Sequence, residues 1–137
     1  MSLRFGIQME EQEAARMNAL QLAYLGDTVW ELIVRYHLIN QKYNVHHMHQ
    51  ECVHLVNAHS QAQILCMIQD ILTETEQDIV RRGRNTHAKH AAPKNQNPDD
   101  YTASTGFEAL FGFLYLTGQN DRIASLLQHI QEAKESV

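Results

Sequence analysis

Gly106-Phe107-Glu108-Ala109-Leu110-Phe111-Gly112-Phe113-Leu114-Tyr115-Leu116 is an apolar run interrupted by one carboxylate. A helix that is apolar nearly all round belongs in the middle of a domain, so residues 106–116 decide the fold. The charge of Glu108 is then the anomaly, because a carboxylate there is costly unless paired, hydrogen-bonded or coordinated to a cation. A second stretch repeats it: Leu20-Gln21-Leu22-Ala23-Tyr24-Leu25-Gly26-Asp27-Thr28-Val29-Trp30 sets Asp27 inside another largely apolar run.

Outward from these two stretches, apolar residues recur at spacings of three and four, and nothing alternates with period two for long. Leu22, Leu25, Val29, Leu32 and Tyr36 mark one helical stripe, ending near Asn40. A further helix begins around Val45 and runs through Met48, Cys52, Leu55 and Val56. Ala62, Leu65, Ile68 and Leu72 either continue it after a kink or start a new helix. Thr73 with Glu76 forms a capping-box pattern, which predicts a helix from there to Gly83. Residues 85–100 hold both prolines and no apolar periodicity, and read as a long loop of the kind that is functional or disordered in a compact domain. Helices follow from about Tyr101 to Leu116 and from Asn120 to near Lys134. The expectation is an all-α fold of six or seven helices, one domain over residues 1–137 with its core at 20–127.

Composition narrows the classes. A chain of 137 residues suits one domain of ordinary size, which argues against a two-domain enzyme with a separate cofactor module. With 44% hydrophobic residues, two Pro and six Gly, it is not disordered. Asp27 and Glu31 interrupt the longest candidate membrane span. The residues after Met1 carry no export signal, and two cysteines then read as free thiols, which points to a cytoplasmic protein. The net charge of −5 argues against a nucleic-acid partner, yet the charge is unevenly spread. Arg81, Arg82, Arg84, Lys89 and Lys94 lie together with no acid among them, and His87 and His90 can add charge at mildly acidic pH. This is a basic edge on an acidic body.

On pattern alone, Asp27 and Glu108 either converge on a hard divalent ion such as Mg²⁺, which favours carboxylate oxygens, or merely reach the surface. Glu31 follows Asp27 on the same face, but also stands four residues before Arg35, the orientation of a helical ion pair. His46, His47, His49, Cys52 and His54 suggest zinc at first sight, but their spacing matches no closed structural pattern, and surface helix positions are the better reading. Cys52 and Cys66 occupy apolar helical positions, as small core residues do. Trp30 and Phe107 read as core or dimer contacts.

Leu25-Gly26-Asp27 with its following helix, and Phe107-Glu108-Ala109-Leu110-Phe111-Gly112 with its own, resemble the two signature helices of the ribonuclease III catalytic domain. The stretches Ala58-His59-Ser60-Gln61-Ala62-Gln63-Ile64-Leu65, Arg82-Gly83-Arg84-Asn85 and Pro93-Lys94-Asn95 resemble further motifs of its short relatives, the Mini-ribonuclease III proteins. The similarity spans about Leu20 to Leu127. It implies a helical, symmetric homodimer that cuts double-stranded RNA with Mg²⁺, for which Mn²⁺ is a possible substitute. It also implies 5′-phosphate and 3′-hydroxyl products, and maturation of the paired ends of large-subunit (23S) precursor ribosomal RNA. By motif position, Asp27 and Glu108 match the family's catalytic metal ligands. Such an ion can activate water and offset charge developing on the phosphate. Glu31 and Thr105 are candidates to support that pair from behind.

A-form duplexes are recognised by shape, through phosphates and 2′-hydroxyls, and phosphate contacts bring steep salt dependence. The candidate RNA contacts are Arg81, Arg82, Arg84, Asn85, Lys89, Lys94, Ser60 and Gln61. Against this, the arginines also suit a helix C-terminus, and Ser60 also suits a structural cap. Two departures from the pattern stand out. Full-length ribonuclease III has additional acids where this chain has Ala23 and Thr105, a thinning the short subfamily shares. Relatives also tend to carry Lys or Arg before Ser60, where Gln50, Glu51, His54 and His59 stand here. The alternative is a non-catalytic module of the same fold that binds RNA or a ribosomal protein.

Overall fold

A computed structural model describes residues 1–6, 8–86 and 94–136. Among the described residues there are seven α-helices and no strand: α1 Glu11–Ala15, α2 Ala19–Asn40, α3 Val45–Val56, α4 Ala58–Ile68, α5 Glu74–Asn85, α6 Pro98–Leu116 and α7 Asn120–Glu135. A 3-10 turn, Gln69–Ile71, extends α4. The side chains of Asn18, Asn44, Asn57 and Asn97 accept backbone N–H groups at the starts of α2, α3, α4 and α6, satisfying donors that a helix start leaves free. Asn57 also ends α3, so the stretch after Val45 is two helices broken at a single residue. Both halves of the Thr73–Glu76 capping box are present, and α5 continues past Gly83 to Asn85.

The loop expected over 85–100 is shorter. Pro98 occupies the first turn of α6, where its missing N–H costs nothing. The Asn97 side chain accepts from the N–H groups of Asp99 and Asp100, whose charges complement the helix dipole. The cluster that reads as loop is a helix start. His87, Lys89 and His90 lie outside the described residues.

Helix α6 is the axis, packing against α1, α2, α4, α5 and α7. From Ala103 to Leu114 every residue of it is buried except Glu108. Trp30 meets Phe107 edge-on at 4.8 Å and Phe111 at 5.4 Å, and its Nε1 donates to the carbonyl of Leu55, so Trp30 and Phe107 are core residues. Helix α2 buries Leu22, Ala23, Gly26, Val29, Trp30, Val34 and Leu38. Leu32 and Tyr36, which the apolar series joins to Leu22 and Val29, are exposed. The difference arises because α2 seats on α6 by its smallest residues. A Cβ on Gly26 would lie 1.6 Å from the carbonyl oxygen of Glu108, and one on Gly112 would lie 2.0 Å from that of Leu22. The two helices meet backbone to backbone. Cys52 is buried as expected, whereas Cys66 is exposed, on the outer side of α4 from Leu65 and Ile68.

Candidate active site

The glycine contact decides the chemistry. Asp27 follows Gly26, and the carbonyl that Gly26 touches belongs to Glu108, so the closest approach of α2 and α6 brings the two carboxylates together. Asp27 is exposed and Glu108 half-buried, which makes the pair a notch at the edge of the core. The Glu108 carboxyl is pushed up to about 8, first by burial, then by its hydrogen bond with Asp27 and the negative charge of Asp27. Gln61 acts in the opposite sense on the same carboxyl. Two acids forced together, with one holding its proton to neutral pH, form a donor set short of positive charge. A hard divalent cation fits it. Among the described residues no group of three or more His, Cys, Asp and Glu is placed to hold a metal, so the chain offers two carboxylates. Mg²⁺ tolerates that, since it keeps several waters and takes one or two carboxylates plus substrate phosphate.

The surroundings explain why the acids number two. Ala23, one turn before Asp27, is buried against the core. Thr105, buried one turn before Glu108, donates its hydroxyl to the carbonyl of Tyr101 at 3.1 Å. Glu31 pairs with Arg35 at 3.4 Å, the ion pair its spacing allows. Gln61 is 2% exposed and turned inward to Glu108, so its side chain is not available to a duplex. The sequence offers it with Ser60 as a candidate RNA contact, although Gln61, Ile64, Leu65 and Ile68 fall on one helical stripe that carries the signal of burial.

The basic residues divide. Arg82 is committed to the fold, donating to the carbonyls of Ala15 and Met17 and tying α5 to α1. Arg81 is exposed and paired with Asp78. Arg84 is half-buried and passes Gly106, two residues before Glu108. Asn85, the last residue of α5, and Lys94, four residues before Pro98, are exposed, and Lys89 lies outside the described residues. The Ser60 hydroxyl donates to the carbonyl of His54, while its N–H is capped by the side chain of Asn57. Among the histidines, His47 stacks on Tyr43 and pairs with Glu51, and His59 meets Asp100 of α6 at 2.9 Å.

Residues 20–119 match the family model of the ribonuclease III domain. The chain is 50% identical over 110 residues to a Mini-ribonuclease 3 of Symbiobacterium thermophilum, covering 80% of this chain and 84% of that one. It is 42% identical over 113 residues to a Mini-ribonuclease 3 of a Thermoanaerobacter species, covering 82% and 79%. The crystal structure of a protein from Fusobacterium nucleatum superposes with a TM-score of 0.79 at 25% identity, over 92% of this chain and 99% of that one.

Proposed function

The chain belongs to the ribonuclease III domain family as an endoribonuclease of that type, and on that premise we propose that it cleaves double-stranded RNA with Mg²⁺ held by Asp27 and Glu108. The observation that carries the reading is the meeting of two carboxylates, with no paired base among the described residues, where α2 and α6 touch. When bound, the ion supplies charge relief to the phosphate and acidifies water. Asp27, on the solvent side, and Glu108, on the core side, orient that charge toward a phosphate arriving from outside. Arg84 passes Gly106, two residues from Glu108, and in the sequence Arg81, Asn85, Lys89 and Lys94 stand around it as a basic segment suited to phosphates. The substrate is the duplex formed by the paired ends of precursor 23S ribosomal RNA, in the cytoplasm, and the products carry 5′-phosphate and 3′-hydroxyl ends. No helix among the described residues is long and apolar enough to cross a membrane. The exposed apolar face of α2 supports a homodimer: Tyr24 is 85% and Tyr36 70% exposed, with Leu32 and Ile39 beside them.

The test is cleavage of such a duplex at low salt with Mg²⁺, with EDTA, and with folded Asp27→Asn and Glu108→Gln proteins. Cuts in both strands are expected, lost with EDTA and reduced at least about 100-fold by either substitution. Intact RNA that the folded wild type still binds would replace this reading with a non-catalytic RNA-binding module, and Ala23 and Thr105 would be its cause.

A further inference from the structure

Gln61 is the buried polar group that the mechanism above leaves unused. It lies on α4, which packs against α6, and it shares the stripe of Ile64, Leu65 and Ile68, where an apolar side chain would satisfy the pattern. Its Nε2 is buried and makes no hydrogen bond among the described residues. A buried donor left unmade is expensive, and an unsatisfied group in a native core calls for a reason. The acceptor this amide faces is the carboxyl of Glu108.

We propose that Gln61 is a positioning residue for Glu108, its amide N–H₂, unmade without metal, closing on one carboxylate oxygen when the pair takes a cation, so that the other oxygen is presented beside Asp27. This rests on the reading of Asp27 and Glu108 as the metal-holding pair. Carboxylates that ligate metals are themselves held by hydrogen bonds from behind, and losing such a partner typically weakens metal binding 10- to 100-fold. An amide suits the task for a specific reason. Lys or Arg at this position would neutralise the pair and compete with the cation, while Leu or Met would leave the Glu108 rotamer undirected. With a cation on the pair, the opposite orientation of the amide would set oxygen against carboxylate oxygen, so the donor end is the one that faces Glu108.

The experiment measures Mn²⁺ binding by electron paramagnetic resonance, and metal-free Tm, for wild type, Gln61→Met, Gln61→Leu and Asp27→Asn. Met and Leu fill a similar volume without the donor. We expect both Gln61 variants to melt at or above the wild-type temperature, since an unmade buried donor has gone, while their Mn²⁺ affinity falls about 10- to 100-fold. In cleavage assays the half-saturating Mg²⁺ concentration rises by a similar factor, with kcat at saturating metal kept within a few-fold. If Asp27→Asn loses Mn²⁺ but both Gln61 variants bind it as wild type does, the role of Gln61 is overturned and the paired-acid reading stands. If wild type and Asp27→Asn bind Mn²⁺ alike, or neither binds, the paired-acid reading itself falls and takes this one with it. If both Gln61 variants melt well below wild type without metal, Gln61 is a packing residue and the proposal is overturned.

Discussion

Glu76 and Glu108 are two carboxylates drawn out of water by one small protein, and their surroundings treat them in opposite ways. Glu76, 3% exposed at the start of α5, closes its own helix by accepting the N–H of Thr73. The guanidinium of Arg122 on α7 grips it at 2.8 and 2.9 Å and also donates to the carbonyl of Ile71. Burial pushes the Glu76 carboxyl up, but the Arg122 hydrogen bonds, the Thr73 N–H, the Arg122 charge and, least, the Thr73 hydroxyl together hold it below the usual carboxylate range. Among the described residues, Glu108 has burial without the base. It faces Asp27, and its carboxyl rises to about 8. An acid that serves only the fold is given a cation from within the chain. On the proposed reading, an acid left facing another acid is reserved for a cation from solution, and the fold bears the strain until that ion arrives.

The sharpest way to break this comparison is to take the base away from Glu76. Arg122→Met keeps an unbranched side chain of similar length and leaves a buried carboxylate alone, a change that typically costs about 3–5 kcal/mol. Urea unfolding at pH 7 should show that loss, and Glu76→Gln added to Arg122→Met should recover much of it, because no charge then remains to be buried. A loss under about 1 kcal/mol would mean that Arg122 is an ordinary surface partner and that the contrast with Glu108 is one of degree.

Next in size is the pH dependence of the metal-free protein. Glu108 has a folded pKa of about 8 against an ordinary value of 4.5, so between those values the folded state holds a proton that the unfolded state has lost. Stability therefore falls as pH rises through that window. Glu76 works the other way: its contribution is present above its ordinary value of 4.5 and disappears as pH falls through its lowered folded pKa. Because Glu108 is only half-buried, solvent discounts the shift, and a span of roughly 2 kcal/mol between pH 5 and pH 8 is expected. Glu108→Gln should flatten the profile there, and saturating Mg²⁺ should flatten it for wild type. A wild-type profile already flat without metal would show that Glu108 carries no such penalty.

What the sequence made legible follows the same divide. The two acids could be found because each interrupts an apolar run, and the capping box could be found because it is local, with Thr73 and Glu76 a single turn apart. That α2 and α6 meet at Asp27 and Glu108 was not legible from periodicity. A glycine contact has no hydrophobic signature, and the apolar series through Leu32 and Tyr36 pointed to the wrong side of α2. The Arg122–Glu76 pair joins α7 to α5 across 46 positions, and no spacing rule reaches so far. Asn97-Pro98-Asp99-Asp100 read as loop because proline and acids are loop residues by composition, yet in that order they make a helix start. The inward turn of Gln61 was present in its stripe but was masked by the polar chemistry of its side chain.

The smallest effect asks which of its contacts holds Glu76 low. The Thr73 hydroxyl accepts the N–H of Glu76 at 3.1 Å, while the Thr73 backbone N–H donates to the Glu76 carboxylate at 2.8 Å. Thr73→Ala removes the first bond and leaves the second, so α5 loses its side-chain cap while Glu76 keeps both its backbone donor and Arg122. The expected cost is about 1 kcal/mol at neutral pH, with only a slight further change on the acid limb, because the Thr73 hydroxyl is the smallest of the contacts that hold Glu76 low. Arg122→Met should instead change the shape of the acid limb, because it removes both the hydrogen bonds and the charge that keep Glu76 ionised. Denaturant titrations of the two variants across pH 3 to 7 separate these outcomes. If Thr73→Ala changed the shape as much as Arg122→Met does, the contrast with Glu108 would rest on the helix start as much as on Arg122.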